Sequence, residues 1–316
     1  MNRLVLIDGN AILHRAYHAL PTLTNKAGEP TQAVYGFVSI LFRVIEDLKP
    51  THLAVAFDRP GPTFRNELFK NYQAQRPEME KELSSQVGKV HQVVEAMQIP
   101  VYELDGFEAD DVLGTIAKQS SVVRHQSSDK IDEVVIVTGD RDLLQLVNDK
   151  VKLFMPVKGL NEGKLFGEKE VEERMGVKPK QIVDLKALMG DASDNYPGVA
   201  GIGPKTAISL IDEYRSLENI YKHIDQIKNI AVSEKLKNGK ENALISQKLA
   251  QVVTDAPVKF ELNKVKLGDL LTDEVIEVFG ELGFKTLLKR LSNMSKKEVN
   301  VVQPTKKSEK QQMELF

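Results

Sequence analysis

The chain contains no cysteine, which excludes disulfide staples and thiolate metal sites and fits a reducing cytoplasm. It also lacks any apolar run of the roughly 18 residues that a membrane helix requires. Its start, MNRLVLIDGN, holds a short apolar run ending in an acid, too short and too acidic for a secretory leader. No internal repeat is present. The histidines, His14, His18, His52, His91, His125 and His223, are scattered, which argues against a histidine-held zinc or a histidine general base. His14 and His18 share i,i+4 spacing, but no acid stands beside them in sequence, and they read as structural or surface groups. What remains is a 316-residue chain, 41% hydrophobic and 28% charged, enough for one large domain or two ordinary ones.

The first half alternates between strand and helix patterns. Residues 4–7 read as a strand ending at Asp8, 53–57 as one ending at Asp58, 99–102 as a third, and 134–137 as a fourth running into Thr138-Gly139-Asp140. Val34, Phe37, Val38, Leu41, Ile45 and Leu48 recur at helical spacing, and a helix is expected over 109–118. This alternation predicts a mainly parallel α/β sheet flanked by helices, in which ligands sit at the carboxyl ends of strands. Residues 151–155 and 164–166 flank a glycine-containing turn and read as a hairpin. From 168 to about 292 the pattern is helical, apart from a short strand near 258–260. From Ser292 the chain is polar and basic, as in a disordered tail or a linker.

Nine carboxylates stand at the ends of these runs: Asp8, Asp58, Glu108, Asp110, Asp111, Asp140, Asp142, Asp191 and Asp194. Singly, each has a bland explanation. Glu108, Asp110 and Asp111 can favour a helix dipole, Asp140 can cap a helix with Asp142 in its first turn, and Asp191 and Asp194 lie in a turn-rich stretch. Jointly, five segments delivering acids to one sheet edge make a pocket that is unstable without cations, and hard divalent ions suit carboxylate oxygens. The net charge of −2 hides this concentration: without the nine acids it would be +7, a balance suited to a polyanion, although ordinary surface charge gives the same number. Phosphodiester hydrolysis needs charge neutralised on the phosphate and hydroxide near pH 7, which two Mg²⁺ or Mn²⁺ ions roughly 3.5–4 Å apart supply. Mg²⁺ keeps several waters, so nine acids can serve two ions, some through water.

The string GVAGIGPKTAI follows the last acid pair. Gly201 and Gly203 allow a tight turn, Pro204 suits a first helical turn, and Ile208, Leu210 and Ile211 continue into a helix. A helix–hairpin–helix of this kind offers amides and a helix start to a phosphate without reading bases, and Lys205 and Thr206 are natural phosphate contacts. The plain alternative is an ordinary Gly-Pro turn between helices.

The strings LVLIDGNAILHRAYHALP, AVAFDRPGPTFRNELFKNYQAQRP, GFEADDVLGT, VTGDRDLLQLV and LMGDASDNYPGVAGIGPKTA resemble the 5′-nuclease domain of bacterial DNA polymerase I, within the flap endonuclease and 5′→3′ exonuclease superfamily. The resemblance covers residues 1 to about 290, with five motifs in order. It implies a PIN-like core over 1–175, with a helical arch over about 62–95, and a helical region with a helix-three-turn-helix DNA-binding element over 176–291. It implies two Mg²⁺ (or Mn²⁺) ions at the nine acids, with Asp8, Asp58, Asp110, Asp111 and Arg76 in the catalytic centre, and K⁺ held by carbonyls of the glycine hairpin. Arg15, Arg65, Lys70, Gln73 and Arg76 fall at substrate-facing positions, and Tyr17 either stacks on a base or packs in the core. The implied substrates are DNA with a free 5′ end or flap beside duplex, and RNA primers, cut to a 5′-phosphate and a 3′-hydroxyl by a cytoplasmic, nucleoid-associated monomer.

One departure stands out. The family arch usually reads Tyr-Lys where this chain has Tyr72-Gln73, so Lys70 or Arg76 compensates or the enzyme is slower. The last residues, with Gln312, Leu315 and Phe316, resemble the bacterial sliding-clamp-binding peptide, in a tail spanning 292–316. That points to a stand-alone nuclease tethered to the clamp; the alternative is a linker cut from a whole polymerase. Two other readings compete with the enzyme: a catalytically weak junction-binding module, and a toxin-like PIN ribonuclease, which would be shorter, less acidic and without the hairpin.

Overall fold

The structure, a computed structural model, describes residues 1–122, 130–158 and 162–295. Six strands form one sheet: β1 (Arg3–Asp8), β2 (His52–Ala56), β3 (Val101–Tyr102), β4 (Glu133–Val137), β5 (Val151–Lys158) and β6 (Glu162–Phe166), in the order β3-β2-β1-β4-β5-β6. The first five pair in parallel, and β6 closes the edge antiparallel to β5. The central strands are apolar nearly throughout because both faces are covered. Strand alternation divides them between two cores: Leu4, Leu6, Val134 and Ile136 face one, and Val5, Ile7, Val135 and Val137 face the other.

On the second face lie α1 (Gly9–Ala19) and α2 (Gln32–Leu48); the short α3 (Phe64–Leu68) stands at the sheet's carboxyl edge, outside that core, and α4 (Lys81–Ala96) packs on the second face again. The opposite face is covered by α5 (Ala109–Val122), then α6 (Glu168–Met175), α7 (Ile182–Met189) and α8 (Pro204–Tyr214). The helical half continues through α9 (Leu217–Lys222), α10 (Ile230–Asn238) and α11 (Lys240–Ala250). The chain then crosses back, so that α12 (Asp273–Leu282) and α13 (Lys285–Ser295) pack on the α2 and α4 side. Among the described residues no helix is long and apolar enough to cross a membrane.

Four expectations shift. The third strand spans only Val101–Tyr102, because Pro100 has no N–H and the Ile99 amide closes the end of α4 on the Val94 carbonyl. The stretch 258–260 joins no strand ladder; Phe260 packs on Tyr102 with ring centroids 5.9 Å apart. Helix α4 buries Leu83, Val90, Val93 and Val94, so its residues belong to the core and the spanning segment over the sheet edge ends near residue 80 instead of 95. Helix α13 continues to Ser295, past the expected boundary at 292, because Leu287, Leu288 and Leu291 give it a buried face. The clamp-like residues Gln312, Leu315 and Phe316 lie outside the described residues.

Candidate active site

The carboxyl ends of β1, β2 and β4 open into one cleft of about 590 Å³, walled by Asp8, Asp58, Glu108, Asp110, Asp140, Asp142 and Asp194. Asp8 ends β1 and caps α1, accepting from the Ala11 amide at 2.9 Å and from the Thr138 hydroxyl at 2.6 Å. Asp58 follows β2; its amide donates to Asn10 and its carboxylate accepts from the Ala109 amide at 2.7 Å, so it caps α5 from outside. Glu108 and Asp110 flank that helix start, and Asp140 accepts from the Asp142 amide at 2.7 Å. Thus the capping explanation holds for several of these acids, and the clustering holds as well.

Charge repulsion on this side is largely unrelieved. Burial, with help from Asp58 and Asp140, pushes Asp8 up to about 7 despite its two hydrogen bonds. Burial likewise raises Glu108 to about 7, against the pull of an Arg65 guanidinium 3.4 Å away. Asp58 is raised by burial, and Asp110 is raised well above its ordinary value by burial and by Asp140, Asp8, Glu108 and Asp58. An oxygen-only donor set that holds its own protons this tightly fits a hard divalent cation, which would supply the missing positive charge.

The other side is arranged differently. Asp142, Asp191 and Asp194 each place an oxygen within 4.8 Å of the others, the tightest acidic triad among the described residues. Here the chain supplies its own cations. The Lys186 ammonium contacts Asp142 and reaches Asp191 at 2.6 Å, while Arg76 pairs with Asp194 at 2.7 Å and the Gln73 amide adds a bond to Asp194 at 3.1 Å. Burial acts to raise Asp191, but Lys186 and Ser193 outweigh it and hold the group below its ordinary value. Burial opposes the Lys186 charge, yet Asp142 and Asp191 keep its pKa up at about 12. Asp142 belongs to both sides: burial and Asp140 push it up to about 7 in spite of Lys186.

A strap over residues 69–77 closes the cleft. Its Tyr72 is buried beside Val183, Tyr196, Leu249 and Ala250, and its hydroxyl donates to Glu108 at 3.3 Å. Gln73, at a φ of +54°, donates its backbone amide to the Asp194 carbonyl, and Asn195 donates to the Asn71 carbonyl at 2.7 Å. The strap is therefore docked on the loop that carries Asp191 and Asp194. Lys70 and Arg76 are exposed along it, Arg15 is half-buried on α1, and the Tyr17 hydroxyl donates to Glu80 at 2.6 Å just beyond the strap. His14, read from sequence as structural or surface, lines the cleft wall, its pKa lowered by burial and by His18.

Two expected site residues are elsewhere engaged. Asp111 is fully buried, and its oxygens accept twice from Arg65, at 2.7 and 2.8 Å, once from the Val253 amide and once from the Glu108 amide. Arg65, 2% exposed, spends its remaining donors on the Leu249 and Gln251 carbonyls. The pair fastens α3 and the start of α5 to the end of α11. A carboxylate so saturated is not placed to take a metal, and an arginine so enclosed is not placed to meet a phosphate.

The glycine hairpin connects α7 to α8. Gly201 adopts φ +77°, whereas Gly203 is extended and caps α8 ahead of Pro204. The tightest demand falls on Gly198, where an added Cβ would stand 2.1 Å from the Gly190 amide nitrogen. Lys205 is exposed and Thr206 half-buried at the α8 start, and Lys235 donates to the Gly201 carbonyl at 3.2 Å. Lys186, Thr138 and Tyr196 were not foreseen. A lone cation in the apolar run IVDLKALM, five residues before an acid, was the available signal for Lys186; nothing local marks the other two.

The chain matches the family model described as the 5′-3′ exonuclease N-terminal resolvase-like domain over residues 3–176, and that of the 5′-3′ exonuclease C-terminal SAM fold over 177–273. It belongs to the 5′→3′ exonuclease family, with the PIN-like α/β core and SAM-like helical part that define it. DNA polymerase I of Bacillus subtilis is 42% identical over 294 residues, which make up 93% of this chain and 32% of the polymerase. The chain thus spans about a third of that relative's length. A bacteriophage T5 flap endonuclease, solved as a pseudo-enzyme–product complex with DNA and metal ions, aligns at a TM-score of 0.64 with 21% identity, over 93% of this chain and 98% of that one. Flap endonuclease-1 from Methanococcus jannaschii aligns at 0.56 with 20% identity, over 93% and 91%.

Proposed function

We propose that this chain is a divalent-metal-dependent 5′→3′ exonuclease and 5′-flap endonuclease. The observation that carries the reading is the cleft itself: acids from five chain segments converge at one sheet edge under a basic strap. The T5 relative in complex with DNA and metal ions supports it. Two ions, Mg²⁺ or Mn²⁺, would be held by Asp8, Asp58, Glu108, Asp110 and Asp140 on one side and by Asp142, Asp191 and Asp194 on the other. When bound they would neutralise the scissile phosphate and lower the pKa of the attacking water.

The chain's own residues do the rest. Thr138 and the Ala11 amide fix Asp8, and the Ala109 amide fixes Asp58, so the ligands are oriented before any ion arrives. Arg76 and Lys70 on the strap face the path of a single-stranded 5′ end. Lys205, Thr206 and the α8 start would grip duplex phosphates, and hairpin carbonyls would hold K⁺, although that of Gly201 already accepts from Lys235. Water attacks phosphorus, the P–O3′ bond breaks, and the proton gained by the leaving oxygen gives a 3′-hydroxyl beside a new 5′-phosphate. RNA primers enter by the same 5′ end. Digestion of 5′-flap, nicked and 3′-flap DNA with Mg²⁺ tests this: the 5′-flap and nicked substrates are cut, the 3′-flap is spared, and Asp110→Asn abolishes cutting. Equal cutting of all three, or no loss in the variant, would refute it, and tight junction binding without any cutting would favour a binding module.

A further inference from the structure

Lys186 stands in the middle of α7, 12% exposed, with its ammonium on Asp142 and Asp191. It bridges two of the three carboxylates whose oxygens lie within 4.8 Å of one another, while the third, Asp194, is held by Arg76. A second observation shows that this arrangement is unfinished. Tyr196 is 4% exposed, lies in the field of the same three acids, and its hydroxyl has no hydrogen-bond partner among the described residues. A buried hydroxyl is rarely left in that state, and a hydrated cation in the triad would satisfy it.

We propose that Lys186 is a placeholder cation: in the resting protein its ammonium neutralises Asp142 and Asp191, two members of the Asp142–Asp191–Asp194 triad, and must leave those oxygens for a divalent ion to enter. The inference rests on reading the cleft as a divalent-metal nuclease site. The two sides of the cleft then load unequally. The five acids with no resident ammonium bind the first ion tightly. The triad binds the second weakly, because each ion must displace an ammonium already seated. Tyr196 is a positioning residue that bonds to the incoming ion's water. Holding one site shut with an internal cation limits two-ion occupancy, and so cleavage, to conditions that favour the second ion.

The test is calorimetric titration of the metal-free full chain with Mn²⁺ alone, without DNA. The binding step lost in Asp194→Asn identifies the triad. Lys186→Met is expected to tighten that step about tenfold or more and to leave the other within about twofold, while Lys186→Arg leaves both unchanged. Because Lys186→Met exposes a buried acid pair, a second measurement uses the unaltered protein. Lysine acylation read by mass spectrometry is expected to rise at Lys186 when Mn²⁺ saturates the triad. An unchanged or weakened triad step in Lys186→Met, or continued protection of Lys186 at saturation, overturns the inference while the first binding step stands. Absence of any Mn²⁺ binding to the unaltered chain overturns the nuclease reading itself.

Discussion

The two walls of the cleft face the same difficulty, carboxylates crowded at a poorly solvated sheet edge, and resolve it in opposite ways. Asp8, Asp58, Glu108 and Asp110 crowd beside Asp140 with little cationic relief, Arg65 near Glu108 and the more distant Arg76 acting on Asp58, and burial raises the pKa of all four. Asp191 and Asp194 are instead matched by Lys186 and Arg76 and are seated in hydrogen bonds to the strap and to Ser193. The first wall is incomplete without an external cation. The second has its charge matched by the chain's own cations and must be rearranged to accept an external one. Acid count therefore says little about metal affinity; the location of the chain's own cations decides it. Asp111 is the limiting case, an acid whose internal partner is so well placed that the carboxylate drops out of the site.

The largest expected effect sharpens this contrast through catalysis. Replacing Asp110 with Asn removes a ligand from the uncompensated wall and should lower single-turnover cleavage on the order of 10³-fold, against roughly tenfold for Asp191→Asn. Equal losses would erase the distinction. Next is stability: Asp111→Asn leaves the Arg65 guanidinium buried and half-paired and should cost about 3–5 kcal/mol in denaturant unfolding, with Mn²⁺ affinity of the folded fraction unchanged. A large affinity loss without destabilisation would return Asp111 to the metal site.

The third effect is linked to pH. Asp8, Glu108 and Asp142 titrate near 7 in the folded chain and near 4 when unfolded. Between those values the folded state binds more protons, so their contribution to stability is full below about 4 and is lost as pH rises through about 7. Divalent ions compete with these protons. The increase in melting temperature on adding Mg²⁺ should therefore be small at pH 5 and larger at pH 7.5, and a pH-independent increase would contradict the account. The smallest effect concerns the strap. Gln73→Lys places a full charge beside Asp194 and should raise the single-turnover rate on a 5′-flap substrate by a few-fold with affinity unchanged. No gain would remove position 73 from the chemistry.

Much of this site was legible in the chain before folding. Acids at the ends of apolar runs mark the carboxyl edge of a parallel sheet, so the topology that unites Asp8, Asp58 and Asp140 follows from periodicity. Gly201 and Pro204 announce their turn because backbone geometry restricts which residues can stand there. What was hidden depends on tertiary pairing. Arg65 and Asp111 lie 46 positions apart, and only packing shows that they satisfy each other. The Lys186 side chain reads as one cation in an apolar helix until α7 is set beside Asp142. The resemblance implies an arch over about 62–95, and only the folded chain shows that Leu83 and Val90 of α4 are buried in the core.

Thermal unfolding in chelator at pH 7.5 tests the contrast between the walls most directly, comparing Asp110→Asn and Asp191→Asn with the unaltered chain. Asp110→Asn should raise the melting temperature, because it removes a carboxyl that folding forces either to take up a proton or to stay charged without a partner. Asp191→Asn should lower it, because it takes from the buried Lys186 one of its two carboxylate partners and leaves it Asp142 alone. Shifts of the same sign in both variants would contradict the account.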